Sequence, residues 1–197
     1  MLCINLTQQK NRDVLNPVCR HKRADYGLPE DKFIFACFNQ LYKMDPDIFN
    51  TWYFHASNSF FYHMLCFLLT VSLNRCNILK RVPNSALWLL RFPAAGETRL
   101  RAYAAAQGVK PDQIIFTDVA VKNEHIRRSA LADLFLDTSI TIDYNIIIYL
   151  FFLISLKEYE ERAVALAENP SKLQALTNRL KAVRMTCPLF DTKRWVS

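Results

Sequence analysis

The segment VAVKNEHIRR concentrates nitrogen-bearing side chains: Lys122, His125 and Arg128. His125 and Arg128 are three residues apart, so a helix presents them on one face, with Lys122 just before its N-terminus. A second cation, Lys43, sits with Gln40 in FNQLYK. Groups of this kind can hold an anion or face an acidic surface. Read alone, however, VAVKNEHIRR is by default an exposed basic helix face, and Lys43 a solvated loop lysine. The choice depends on whether the fold brings the two stretches to one place.

The whole chain has the charge for an anionic ligand. Its 197 residues carry a net charge of +7, which also suits nucleic acid or an acidic partner. The basic residues come in short scattered groups, as at Lys80–Arg81 and Lys193–Arg194, and no RNA-binding or zinc-finger spacing accompanies them. Nucleic acid is therefore not expected as a partner. The 3 glycines are too few for a glycine-rich phosphate loop, so such a loop is absent or built differently. The six cysteines include no C-x-x-C pair and no nearby paired histidine, which argues against a zinc site and for free thiols in a reducing compartment. The opening MLCINLTQQKNR lacks a charged start followed by an apolar stretch, so it does not read as a secretory signal.

The elements that must position these groups alternate. KFIFACF (Lys32–Phe38) is short, apolar and aromatic, and reads as a buried strand. Asp45-Pro46 is a helix start, so DPDIFNTW opens a helix. Cys76–Val82 reads as a helix closing at Pro83, and Ala86–Phe92 as a second strand. A helix over Glu97–Gln107 should stop at Gly108. QIIF (Gln113–Phe116) is a third strand, Asn123 caps a short helix through HIRRSALA, and Asp133–Asp137 is a fourth strand. A helical tail over Glu158–Val183 should break at Asn169-Pro170. This grammar predicts an α/β fold, a Rossmann-like parallel sheet with crossover helices. Ligands of such sheets lie beyond the carboxyl ends of the strands, which are where NQLYK and DVAVKNEH fall.

Two runs break the grammar. Tyr53–Arg75 separates TW from CNILKRV, which would otherwise join as one helix, and residues 139–156 form an Ile/Tyr/Phe/Leu run without turn chemistry. Their composition and abrupt edges read as translated intron or misjoined exon sequence. Their apolar parts, Phe60–Leu73 and Asn145–Leu156, fall short of the roughly 20 residues of a spanning helix, so core strand, filler or aggregation-prone surface is expected over a membrane span.

Four strings, LPEDKFIFACFNQLYKMDP, NILKRVPNSALWLLRFPAAGE, QIIFTDVAVKNEHIRRSALADLFLDT and CPLFDTKRW, resemble the protein O-GlcNAc transferases, closest to the plant type. The match covers roughly Gln9–Trp52, Cys76–Thr138 and Lys157–Val196. It implies the C-terminal lobe of an inverting GT-B glycosyltransferase, which takes UDP-GlcNAc as donor and serine or threonine hydroxyls of proteins as acceptors. The family needs no metal or cofactor and is at work in cytoplasm and nucleus. The resemblance puts Gln40 and Lys43 on donor-contacting positions, with Lys43 the essential lysine beside the diphosphate, where an ammonium offsets the charge on departing UDP. It puts Ala120, Lys122, His125 and Arg128 on the uridine-holding positions, the imidazole stacking on uracil while lysine and arginine donate to ribose and base edge. Val121 stands where many relatives have proline.

The same resemblance exposes gaps. After Leu136-Asp137-Thr138 the family continues into a His-Thr-Thr-Gly segment that cradles the diphosphate, then an aspartate on the ribose; here SITIDYNIIIYLFFLISL follows, with Asp143 its only carboxylate. The N-terminal lobe, the helical-repeat superhelix and the candidate catalytic base are expected to be lacking too. The organisation read from the sequence is therefore an N-terminal segment, 1–28; a nucleotide-sugar-binding lobe, 29–138, with a foreign insert at 53–75; a foreign apolar run, 139–156; and a helical segment, 157–197. An incomplete lobe of this kind is expected to be inactive in transfer, and a noncatalytic interaction remnant or a weakly membrane-associated small protein is the alternative reading.

Overall fold

The computed structural model describes residues 21–38, 73–92, 94–136 and 146–183. Four strands, β1 (Phe33–Cys37), β2 (Ser85–Leu90), β3 (Ile114–Thr117) and β4 (Leu134–Phe135), make one sheet in the order β3-β2-β1-β4. Every pairing is parallel, with Phe33 opposite Ser85, Leu87 opposite Ile114 and Phe35 opposite Leu134. The helices are α1 (residues 73–81), α2 (Ala95–Ala106), α3 (Lys122–Ser129), α4 (Ile146–Ala167) and α5 (Pro170–Val183). This is the expected α/β arrangement, and each described strand lies within or beside its predicted string.

Alternation along β1 divides the core. Phe35 and Cys37 point to one face, where they join Leu87 and Leu89 of β2, Cys76, Ile78 and Leu79 of α1, and Ala163 and Val164 of α4. Ile34 and Ala36 point to the other, with Ala86, Trp88 and Leu28. Both faces are covered, so β2 is buried along its whole length and reads as the continuous apolar run SALWLL. Burying each large side chain such as Trp88, Phe35 or Ile78 contributes roughly 1.5–3 kcal/mol.

Polar side chains fix the register where strands are too short to do so. Asp133 Oδ2 accepts from the Ile34 amide and from Arg23 Nη2, both at 2.7 Å, and Arg23 also donates to the carbonyls of Lys32 and Leu131. The two-residue β4 is thereby held against β1. Buried Gln113 does the same for β3, donating from Nε2 to Leu79 O at 3.0 Å. Gly108 takes φ +80° after α2, the left-handed conformation its predicted capping role requires.

One sequence expectation changes. Residues 146–156, for which a core strand was entertained, are helical and continue into KEYEERAVALA as one 22-residue element. The helix formers of the second half propagate the backbone hydrogen bonding backwards through the isoleucines and phenylalanines, whose strand preference is the weaker influence. Among the described residues no helix is long and apolar enough to cross a membrane. At the other run, residues 73–75 belong to α1, and Asn74 and Arg75 are buried. The remainder of Tyr53–Arg75, and the DPDIFNTW helix, lie outside the described residues, as does CPLFDTKRW.

Candidate functional site

The sheet order reverses at β1, because β2 and β3 lie to one side of it and β4 to the other. In a doubly wound sheet that reversal opens a crevice beyond the carboxyl ends of the two diverging strands. Phe38, the first residue after β1, stands there. Its ring meets Phe135 of β4 at 5.3 Å, Trp88 of β2 at 4.9 Å and His125 of α3 at 5.0 Å between centroids. The end of β1 and the start of α3 are thus in contact, as a shared site requires.

Asp118, the first residue after β3, organises the loop beside it. Its carbonyl oxygen accepts from Arg128 Nη1 at 2.7 Å, and its Oδ1 from Arg91 Nη1 at 2.6 Å. Arg91 also donates from Nε to Glu97 Oε2 at 2.5 Å, and Glu97 Oε1 accepts from Arg101 Nε at 3.0 Å. Burial alone would raise the Glu97 carboxyl, but the hydrogen bonds from the two arginines outweigh it and hold the group below its ordinary range. Charged hydrogen bonds therefore tie together the ends of β2 and β3 and the first turn of α2.

Arg128 is 2% exposed. Its guanidinium carbon lies 5.9 Å from the centre of Tyr26 and 5.7 Å from that of Phe38, and its Nη2 is 3.3 Å from His125 Nδ1. The Tyr26 hydroxyl donates to Glu124 Oε1 at 3.2 Å, so the 3-10 turn Arg23–Tyr26 is anchored to α3 as well. Burial, then the Arg128 charge, pushes His125 below the ordinary histidine value, and its ring is neutral at pH 7.

The sequence-predicted residues fall as follows. Ala120 is half-buried in the β3–α3 loop, Lys122 is the exposed first residue of α3, and His125 is half-buried against Phe38. Helix α3 begins earlier than expected: extended Val121 is its N-cap, with no side-chain cap, so Asn123 is not the capping residue and Lys122 is inside the helix. The His125 amide closes that first turn on Val121 O at 2.9 Å. Gln40 and Lys43 lie outside the described residues; the chain reaches the crevice at Phe38, two positions before Gln40. Sequence reasoning missed Phe38, Tyr26 and Asp118. Two of them, Phe38 and Asp118, immediately follow strands, which was the available signal.

A parallel sheet whose order reverses at β1, with aromatic and basic side chains gathered beyond the carboxyl ends of its strands, is an α/β architecture of the doubly wound type. The chain belongs to glycosyl transferase family 41, whose model matches residues 4–147. It is 54% identical, over 98% of its length, to a probable UDP-N-acetylglucosamine–peptide N-acetylglucosaminyltransferase of Arabidopsis thaliana. It is 40% identical, over 64% of its length, to the UDP-N-acetylglucosamine–peptide N-acetylglucosaminyltransferase of Caenorhabditis elegans. The chain spans 21% of the plant relative and 9% of the nematode one. The plant alignment runs over 230 positions, more than the chain has residues, so that relative carries stretches with no counterpart here. The fold is shared with a mutant O-GlcNAc transferase of Thermobaculum terrenum, at a TM-score of 0.56 and 15% identity over 83% of this chain and 33% of that one.

Proposed function

We propose that this chain is the nucleotide-sugar-binding lobe of a protein O-GlcNAc transferase, that its crevice takes the uridine of UDP-GlcNAc, and that the chain by itself transfers no sugar. The observation that carries this reading is the contact between Phe38, at the exit of β1, and His125, at the start of α3, at the sheet's switch point. Ala120, Lys122, His125 and Arg128 take the uridine-holding roles, and Gln40 and Lys43 the donor-contacting ones, that the family resemblance gives them. The acceptors are serine and threonine hydroxyls of cytoplasmic and nuclear proteins, and neither a metal nor a cofactor takes part.

Inactivity follows from the run after Thr138. It replaces the segment that cradles the diphosphate, and charge-assisted hydrogen bonds to phosphate are the strong contacts of such a donor. Incubating the purified chain with radiolabelled UDP-GlcNAc and an acceptor peptide should give no labelled peptide, while uridine should raise the melting temperature of the chain but not of its His125→Ala variant. Labelled peptide would refute the inactivity, and indifference to uridine would refute the seat.

A second reading has its own support. Phe92, Val119, Val121 and Phe135 are large apolar side chains, 41–73% exposed, at or just beyond the carboxyl ends of β2, β3 and β4. Such a rim favours association with another protein surface.

A further inference from the structure

Arg128 differs from exposed Lys122 in being buried. It is 2% exposed, and rings cover it on Tyr26 and Phe38. Its Nη1 is committed to Asp118 O, and its Nη2 faces His125 Nδ1 at 3.3 Å. Among the described residues its Nε has no hydrogen-bond partner. The side chain is part of the wall.

We propose that Arg128 is a positioning residue, which holds His125 in the tautomer protonated on Nε2 and fixes the β3–α3 loop. A guanidinium has five donors and no acceptor, so the contact at 3.3 Å is a hydrogen bond only if Nδ1 carries the lone pair. The single proton of the neutral ring then sits on Nε2, which becomes a donor suited to a carbonyl or hydroxyl oxygen and unsuited to an amino group. The same guanidinium pulls on Asp118 O at 2.7 Å, ten residues back, and so sets the path of the loop that carries Ala120 and Lys122. Phe38 is shared: it covers Arg128 and packs at a tilt against His125, so ring and cation form one unit.

The ligand part of this inference rests on the uridine reading, whereas the tautomer part does not. The test is therefore nitrogen NMR of the full chain with labelled histidine, the His125 signals being assigned by their loss in His125→Gln. At pH 7.5 the wild type should show one protonated nitrogen, Nε2, and one unprotonated nitrogen, Nδ1. Arg128→Met should give a mixture of tautomers and weaken uridine binding about tenfold, the loss of one hydrogen bond to a charged group. Arg128→Lys, which keeps a donor, should retain part of the tautomer preference. A wild-type ring protonated on Nδ1 overturns the proposal whether or not any variant folds. A Met variant with unchanged tautomer and affinity overturns it as well. A wild type with the Nε2–H tautomer but no affinity for uridine would uphold the positioning role and sink the uridine reading alone.

Discussion

The ring of Phe38 lies 5.0 Å from that of His125, tilted by 52°, and this pair joins the end of the central strand to the helix that opens the crevice. Aromatic pairs contribute about 0.5–1.5 kcal/mol beyond the area they bury. Phe38→Leu keeps apolar volume but removes the ring, so uridine affinity should fall by roughly two- to tenfold, as read by calorimetric titration. Unchanged affinity would separate Phe38 from the seat.

His125 makes stability depend on pH in a defined direction. Its folded value lies below the ordinary one of about 6.5, chiefly through burial and then through the Arg128 charge. The unfolded chain therefore takes up the proton first, and the stability contributed by the neutral ring, present above about 6.5, is lost as the pH falls toward the folded value. Thermal melts from pH 7.5 to 5 should show a steeper decline for wild type than for His125→Gln. Parallel curves would contradict the assignment.

Arg75 is 3% exposed, and its three guanidinium nitrogens have no hydrogen-bond partner among the described residues. It borders a small apolar cavity walled by Leu79, Leu87, Leu89, Leu100 and Tyr103. A buried charge without a partner is costly, and apolar replacements at buried ionic positions stabilise by about 1–4 kcal/mol. Arg75→Met should raise the unfolding free energy measured by urea denaturation by that amount, whereas a lower value would show that the guanidinium is satisfied in solution.

Asp133 receives the Ile34 amide and Arg23 on one oxygen. Asp133→Ala leaves the amide unpaired at the edge where β4 meets β1, and should cost about 1–3 kcal/mol of stability in the same measurement. Because β4 is only two residues long, amide exchange at Leu136, which donates to Ala36 O at 2.8 Å, should quicken with it.

Much of this was legible from the residues. KFIFACF, ALWLLRF and QIIF each hold a strand, since short apolar runs rich in aromatic and branched residues suit a sheet covered on both faces. Gly108 ends α2 as its position foretold, and the tail breaks before Pro170. The fate of Arg128 was not legible. Within HIRR it looks like a solvated cation, and its burial depends on Asp118 O, Tyr26 and Phe38, of which the last two are 102 and 90 positions away. The start of α3 was missed because a capping side chain was sought at Asn123, whereas extended Val121 begins the helix with no side-chain bond.

The claim that the nucleoside sits between the exit of β1 and the start of α3 can be tested directly with a photoreactive uridine nucleotide. Irradiating the full chain with 5-azido-UDP and mapping the modified peptides by mass spectrometry should place the label within residues 38–43 and 117–129, with competition by unlabelled uridine. Label spread over the surface, or concentrated on α2 or α5 and insensitive to uridine, would contradict it.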